Sequence, residues 1–328
     1  MFINLPKQLL IAAGVVILCL VVVGLNILRM THQQIDDIQP ALPDYDEIRA
    51  SARVENLPVA IEWLETARIP SQRSLVLDRQ VDPEPDLAYE MTFPAFVLTW
   101  ADGRRFVIDA GLSSVAAEEF ARSLTLFTDS GPMRYVGALS TLIRPESITG
   151  MGFTHLHVDH TSGANDLCAA GADFILYQTV EQFNIFNYLT YQQGDQLAQM
   201  DCNLRLLLAS QDDLLREIQG FPGLYVTYVA GHSPGSQAFV VHVRQGSRVV
   251  TYIVAGDLAN HRDGVLHNIS KPSWYSRWVV PESLPQLDQA RRWLKFFDAQ
   301  ASITVLLSHD RQALLGSGIG QMTPDAND

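Results

Sequence analysis

The chain opens on one kind of apolar pattern and then switches to another. Leu9 to Leu28 reads LLIAAGVVILCLVVVGLNIL, a run of about 20 residues without a charge, long enough to cross a bilayer as a helix. Lys7 precedes it and Arg29 follows it. A cleaved signal peptide would have a shorter apolar region ending in an A-x-A-like site, and no such site is present. A lipoprotein signal would have a small residue where Leu18 stands before Cys19. The run therefore predicts an uncleaved signal anchor over residues 1–30. The flanking charges favour, by a narrow margin, a cytoplasmic N-terminus and an extracytoplasmic domain. Residues 31–56 are polar, with acidic residues and two prolines in Thr31 to Arg53, and predict a juxtamembrane stalk.

From Leu57 onward, short apolar runs alternate with turn signals. Phe96 to Trp100 and Phe106 to Ile108 flank Ala101-Asp102-Gly103-Arg104, which predicts a hairpin. Leu224 to Val229, Gln237 to Val243 and Val249 to Val254 predict three more strands, the last two separated by the turn Arg244-Gln245-Gly246-Ser247. Helical spacing appears at Leu284, Leu287, Ala290, Leu294 and Phe297, leaving Arg291, Arg292 and Lys295 for other faces. Ser283-Leu284-Pro285-Gln286 reads as a capping box with proline in the first turn. The strand Ile303 to Leu307 follows. Strands interrupted by amphipathic helices predict an α+β domain of two helix-covered sheets over residues 57–315. Residues 316–328 predict a fraying tail. No repeat, low-complexity tract or second domain is visible.

Composition narrows the function classes. Of 328 residues, 47% are hydrophobic, which fits a globular core and excludes general disorder. The net charge of -13 argues against a nucleic-acid partner, since such surfaces rely on clustered Lys and Arg. Cys168 and Cys202 are the two cysteines of the folded part. They lack the C-x-x-C spacing of a thiol metal site. A disulfide in an exported domain and two buried free thiols are both open.

The segment Thr154-His155-Leu156-His157-Val158-Asp159-His160-Thr161-Ser162-Gly163 carries the chemistry. It sets three imidazoles and a carboxylate in six residues, just after the apolar stretch Ile148 to Phe153. Such nitrogen and oxygen donors are the ligands that zinc and similar cations accept. Burying all four without a metal would leave polar groups to satisfy. Further on, His232, Asp257 and His309 each stand just after a predicted strand, in AGHSPGS, AGDL and LSHD; earlier, Asp109 ends Val107-Ile108-Asp109-Ala110-Gly111.

This H-x-H-x-D-H run, with a later His, Asp and His each ending a strand, resembles the metallo-β-lactamase superfamily over roughly Asp109 to His309. The resemblance implies a four-layer αββα sandwich, here preceded by the N-terminal transmembrane helix. It implies two divalent metal ions, zinc by default, with iron, manganese or cobalt open to the same donor set. His155, His157 and His232 would hold the first, Asp159, His160 and His309 the second, and Asp257 would bridge them, with Asp109 behind the ligands. Water activated between the two cations would attack an electrophilic carbon.

Gly231-His232-Ser233-Pro234-Gly235-Ser236-Gln237 is similar to the G-H-T-P-G-H-Q type of stretch in quorum-quenching N-acyl-homoserine lactonases. That branch implies a small-molecule ester or lactone as substrate. Those lactonases usually carry a Tyr three residues after the bridging Asp; here Asn260 stands there, an amide that can donate a hydrogen bond but cannot act as a phenolic acid. Asp159, Asp257 and Asn260 are thus the candidate catalytic side chains, and Tyr275 is a candidate replacement hydroxyl. Phe183 to Gln193 is a candidate lid, and Ser273 to Trp278 a candidate wall with Arg277 available to an anion. His261 and His267 are candidate pocket residues, while His32 and His242 read as structural. The rivals are a glyoxalase-II-like thioesterase, a phosphodiesterase or nuclease, and a non-catalytic membrane-anchored binding module on the same fold.

Overall fold

The computed structural model describes residues 7–200, 202–208 and 214–322. Thirteen strands are described: β1 (Ala60–Gln72), β2 (Ala88–Thr99), β3 (Arg105–Ile108), β4 (Arg134–Tyr135), β5 (Ile148–Gly152), β6 (Phe174–Thr179), β7 (Asn203–Leu208), β8 (Arg216–Glu217), β9 (Leu224–Tyr228), β10 (Gln237–Gln245), β11 (Arg248–Val254), β12 (Ile303–Leu306) and β13 (Gly320–Gln321). One sheet runs β13-β1-β2-β3-β5-β6-β7, with β4 on β1; the other runs β12-β11-β10-β9-β8. Both predicted hairpins form: β2 pairs antiparallel with β3, and β10 with β11.

Side-chain alternation sorts these strands into four layers. Phe96, Leu98 and Phe106 of the first sheet meet Phe239, Val241 and Val254 of the second in one buried cluster. The opposite face of the first sheet, with Val97, Val107 and Met151, packs on helical Leu139, Ala164 and Leu167. The opposite face of the second, with Val240, Ile253 and Val305, packs on Leu287, Ala290, Leu294 and Phe297 of the helix Leu284–Asp298. That helix starts at Leu284, but the capping box is not made. The Gln286 amide donates instead to the carbonyl of Ile38 at 2.7 Å. Arg291 is not on an outer face: it is buried, donating to Asn268.

Helix α1 (Lys7–Asp36) is the one described helix long and apolar enough to cross a membrane, by length and composition. It continues past the apolar run, and its end is packed: Thr31 and Ile35 are buried. The following segment lies against the domain rather than standing free. The Ala41 amide donates to Tyr228 and the Trp293 indole to Pro43, while Ile48 sits in the helix-side core of the second sheet. The start of the expected tail is also tied down. Ile319 is buried in the inter-sheet core and β13 pairs parallel with β1, because an apolar residue there gains more from the core than from water. The rest of that tail, 323–328, and residues 1–6 of the expected anchor lie outside the described residues. Cys168 and Cys202 are joined as a disulfide.

His242 shows how the second sheet stores a pH response. It sits on β10, fully buried, with its ring nitrogens 2.8 Å from Ser51 Oγ and 2.9 Å from Thr251 Oγ1. Two hydroxyls satisfy a neutral ring but offer no anion to a charged one. Burial accordingly pulls its pKa from 6.5 down to about 4. The unfolded chain binds the proton first, so this contribution is complete above pH 6.5 and is lost as pH falls toward 4. Between pH 7.5 and 5 the loss is about 2 kcal/mol, or roughly 4–8 °C in melting temperature. His242→Gln is expected to melt with a flatter pH dependence over that range; an unchanged slope would rule out His242 as its source.

Candidate metal centre

The chemistry-bearing residues stand where strands of both sheets end on one rim. β5 ends at Gly152, the chain passes Phe153, and Thr154 to His157 lead into the short helix Val158–Thr161. That helix carries Asp159 and His160 in a single turn. β9 leads to His232, β11 to Asp257 and β12 to His309. The loops are held by tight backbone. Gly256 has φ +53, and a Cβ there would come within 2.7 Å of the Thr154 side chain. Asp109, after β3, holds φ +59 without being glycine, a conformation that side-chain bonds must stabilise. Its carboxylate accepts from the Thr154 amide at 2.7 Å and lies 2.9 Å from His160 Nδ1.

The seven predicted ligand side chains meet in one cluster. His155 Nε2, His157 Nδ1 and His232 Nε2 form a triangle with sides of 3.0, 3.1 and 3.1 Å. Asp257 Oδ1 lies 3.2 Å from His160 Nε2 and 3.0 Å from His309 Nε2, while its Oδ2 is 3.7 Å from His232 Nε2. Asp159 Oδ2 is 3.4 Å from His309 Nε2 and 3.8 Å from His160 Nε2. Three groups there could each hold a cation: His155, His157 and His232; His155, His160 and Asp257; and Asp159, His160 and His309.

The proton inventory tests whether cations fit. His160 Nδ1 faces Asp109, His232 Nδ1 faces Glu282 Oε1 at 2.6 Å, and His309 Nδ1 faces the Thr92 carbonyl at 2.8 Å. Ionised carboxylates and carbonyls only accept, so each of these Nδ1 atoms donates its hydrogen outward. In the neutral rings, the three Nε2 atoms then turn lone pairs inward, toward one another and toward carboxylate oxygens. His160 Nε2 and Asp257 Oδ1 accordingly find no hydrogen-bond partner although buried. Tetrahedral zinc with nitrogen ligands would separate donor atoms by about 3.3 Å, close to the observed triangle. Charge points the same way. Asp109, Asp159, Asp257 and Glu282 are all buried, with Lys271 as the buried lysine beside them. Such a surplus of buried negative charge calls for cations.

Protonation states follow these surroundings. Burial, then the neighbouring imidazoles, hold His155 and His157 well below the ordinary histidine range. Burial and then Lys271 lower His232. Burial also pulls on His160 and His309, but carboxylates outweigh it, Asp109, Asp159 and Asp257 at His160 and Asp257 and Asp159 at His309, and raise both rings, so a cation held at their Nε2 atoms would displace a proton there.

A family model for the metallo-beta-lactamase superfamily matches residues 94–285. The chain belongs to the metallo-beta-lactamase superfamily. The superfamily fold is reproduced in solved structures. An N-acyl homoserine lactone hydrolase with N-hexanoyl-L-homoserine bound at its catalytic metal center superposes with TM-score 0.57 at 13% identity, over 80% of this chain and 98% of that one. A B. thuringiensis AiiA variant with N-decanoyl-L-homoserine bound at its active site gives the same TM-score, identity and coverage. A quorum-quenching N-acyl homoserine lactone lactonase gives TM-score 0.57 at 12% identity, over 80% and 97% of the two chains. At these identities the likeness is one of fold. A search of curated proteins finds no match.

Above this superfamily centre lies a cavity of about 560 Å³. His157, Asp159, Asp257 and His309 line it together with Asn260 and Tyr275. The Asn260 side-chain oxygen is buried without a partner. Burial, then Glu282, Asp257 and Asp159, push the Tyr275 hydroxyl well above its usual range. Of the expected lid, only Tyr188 and Leu189 line the cavity, the Tyr188 hydroxyl donating to Val279 at 3.3 Å. Phe186 turns into the core beside Gly194. Of the expected wall, Trp274, Tyr275 and Trp278 line the cavity and Arg277 does not. His261 caps the helix Arg262–Leu266 and His267 ends it; neither lines the cavity.

Three supporting residues escaped the sequence reading. Glu282 accepts from His232 and from Lys271 Nζ at 2.6 Å, and Ser276 Oγ also donates to it. Tyr89 spans the Asn260 and His309 carbonyls at 2.6 and 2.5 Å. Glu282 and Lys271 belong to no local motif, and only the inward-facing proline-flanked PE pair at 281–282 hints that a carboxylate there is buried.

Proposed function

We propose that the chain is a membrane-anchored two-metal hydrolase that opens an ester-like bond, with a lactone as its substrate. The observation that carries this reading is the inward ring of imidazole lone pairs and carboxylates beneath an apolar cavity. His155, His157 and His232 would hold one divalent cation and Asp159, His160 and His309 the other, with Asp257 between the two groups and zinc as the expected metal. Such cations would supply an activated water at neutral pH and polarisation of a carbonyl. Asp109, Glu282 and the Thr92 carbonyl keep three imidazoles in the tautomer that offers Nε2 inward. Asn260 and Tyr275 stand on the cavity wall to donate hydrogen bonds to the substrate carbonyl, and the raised Tyr275 pKa keeps its proton in place. The apolar wall excludes water and receives the substituent of the ring.

The likeness in fold to lactone hydrolases and the AGHSPGS stretch after β9 support a lactone over a thioester. Helix α1 is the anchor, and the Cys168–Cys202 bridge supports an oxidising, extracytoplasmic side for the domain. The test uses the detergent-solubilised full chain with metal content measured on the same sample. Lactone turnover with about two metal ions per chain is expected. Thioester cleavage without lactone cleavage would replace the substrate class; a metal-free, inactive protein would favour a binding module. Tyr275→Phe is expected to lower lactone kcat by about a hundredfold with little change in KM. Unchanged kcat would remove the hydroxyl from the reaction.

A further inference from the structure

We propose that the cavity wall around Trp274 and Trp278 rests in the bilayer interface, so that the enzyme draws a long-chain acyl amphiphile directly from the membrane. This inference rests on the anchor and hydrolase readings above, and adds where the substrate comes from and what kind of molecule it is.

The two segments that supply the cavity walls each touch the end of helix α1, through residues beside the lining ones. His32 Nε2 lies 3.2 Å from the Arg277 carbonyl, and the Gln34 amide donates to the Phe186 carbonyl at 3.4 Å. The joint is packed, with Thr31 and Ile35 buried between these contacts. His32 stands four residues beyond Leu28, the end of the apolar run, which on a helix is about 6 Å. The polar layer on each side of the hydrocarbon core is about 5–8 Å deep. A helix that spans the bilayer therefore places the Arg277 loop at headgroup depth.

The side chains of that loop suit this position. Trp274, Trp278 and Val279 are 49%, 57% and 46% exposed, and Tyr188 across from them is 47% exposed. Tryptophan and tyrosine are the side chains enriched at membrane interfaces, with an apolar ring and a polar tip. Arg277, exposed between the tryptophans, can meet lipid phosphate. The same Trp274, Trp278 and Val279 also line the cavity. They form a rim with one face toward the cavity and one toward the outside. An acyl chain can pass along it without crossing water, while a polar head reaches the carboxylates and imidazoles at the floor.

The test reconstitutes the full chain in phosphatidylcholine vesicles containing lipid brominated near the headgroup end of its acyl chains. Tryptophan fluorescence is expected to be quenched, and the double variant Trp274→Phe, Trp278→Phe to lose at least half of that quenching. Equal quenching in both proteins would overturn the interfacial seating, as would protection of these tryptophans by a second copy of the chain. A second arm compares N-dodecanoyl with N-butyryl homoserine lactone. Trp278→Ser is expected to lower the ratio of long-chain to short-chain kcat/KM about tenfold; an unchanged ratio would overturn the amphiphile assignment. Absence of turnover with either lactone would overturn the lactone substrate class, and with no thioester cleavage and no metal it would overturn the hydrolase reading as well, whereas quenching depends on neither.

Discussion

Replacing Asp257 by Asn is expected to lower kcat/KM by at least about a thousandfold and to cost the protein at least one of the two metal ions proposed for it. The side chain sits between both proposed ligand groups, 3.0–3.2 Å from His309 and His160 through one oxygen and 3.7 Å from His232 through the other. Asparagine keeps the shape but removes the charge, and turns an N–H group toward either nitrogen lone pairs or a cation. Metal ions contribute several kcal/mol to transition states of this kind, and a thousandfold corresponds to about 4 kcal/mol. Stability moves the other way. Asp257 is one of four buried carboxylates at the centre, the others being Asp109, Asp159 and Glu282, so the metal-free variant is expected to melt no lower than the metal-free parent. Metal analysis, turnover and melting on the same preparations read all three. Retention of two ions with near-parent activity would remove Asp257 from the centre.

The place of that carboxylate was legible in the sequence because polar residues that end strands leave a local mark. His155, His157, Asp159 and His160 crowd into one loop; His232, Asp257 and His309 each follow an apolar run that could only be a strand. The layers were legible for the same reason: alternation in Phe96 to Trp100 and in Gln237 to Val243 assigns each residue to one face. What could not be read was contact between distant segments. The capping box at Ser283 failed because Gln286 found the Ile38 carbonyl, a partner some 250 positions away. Residues 31–56 read as a juxtamembrane stalk, and their packing on the domain was not legible because their polar residues outnumber the few, such as Ile35 and Ile48, that are buried. Arg277 looked available to a substrate anion, but its backbone meets His32 and its side chain faces outward.

Glu282 is the sharpest case, and its replacement carries the second large effect. Glu282→Gln is expected to lower the melting temperature by roughly 10 °C and to weaken metal binding about 10–100-fold. The carboxylate is buried with Lys271, whose ammonium lies 2.6 Å away, and it also accepts from His232 Nδ1. Burial alone would raise its pKa, but Lys271 and His232 outweigh this and hold it below its usual range. Glutamine can still accept from His232, yet it leaves a buried lysine without its counter-ion, 3.4 Å from His232 Nδ1. Breaking a buried pair from one side costs about 3–5 kcal/mol, and in a domain of this size each kcal/mol is about 2–4 °C. Loss of the carboxylate behind a metal-binding imidazole accounts for the weaker binding. The two effects separate in the double variant Lys271→Met, Glu282→Gln. Removing both charges should restore most of the melting temperature, while His232 still lacks an anionic partner and metal affinity stays low. Calorimetry and competition with a chelator measure the two quantities independently. Parent-like affinity in Glu282→Gln would mean that His232 is positioned by the loop alone, and that the buried lysine and glutamate serve packing rather than the metal centre.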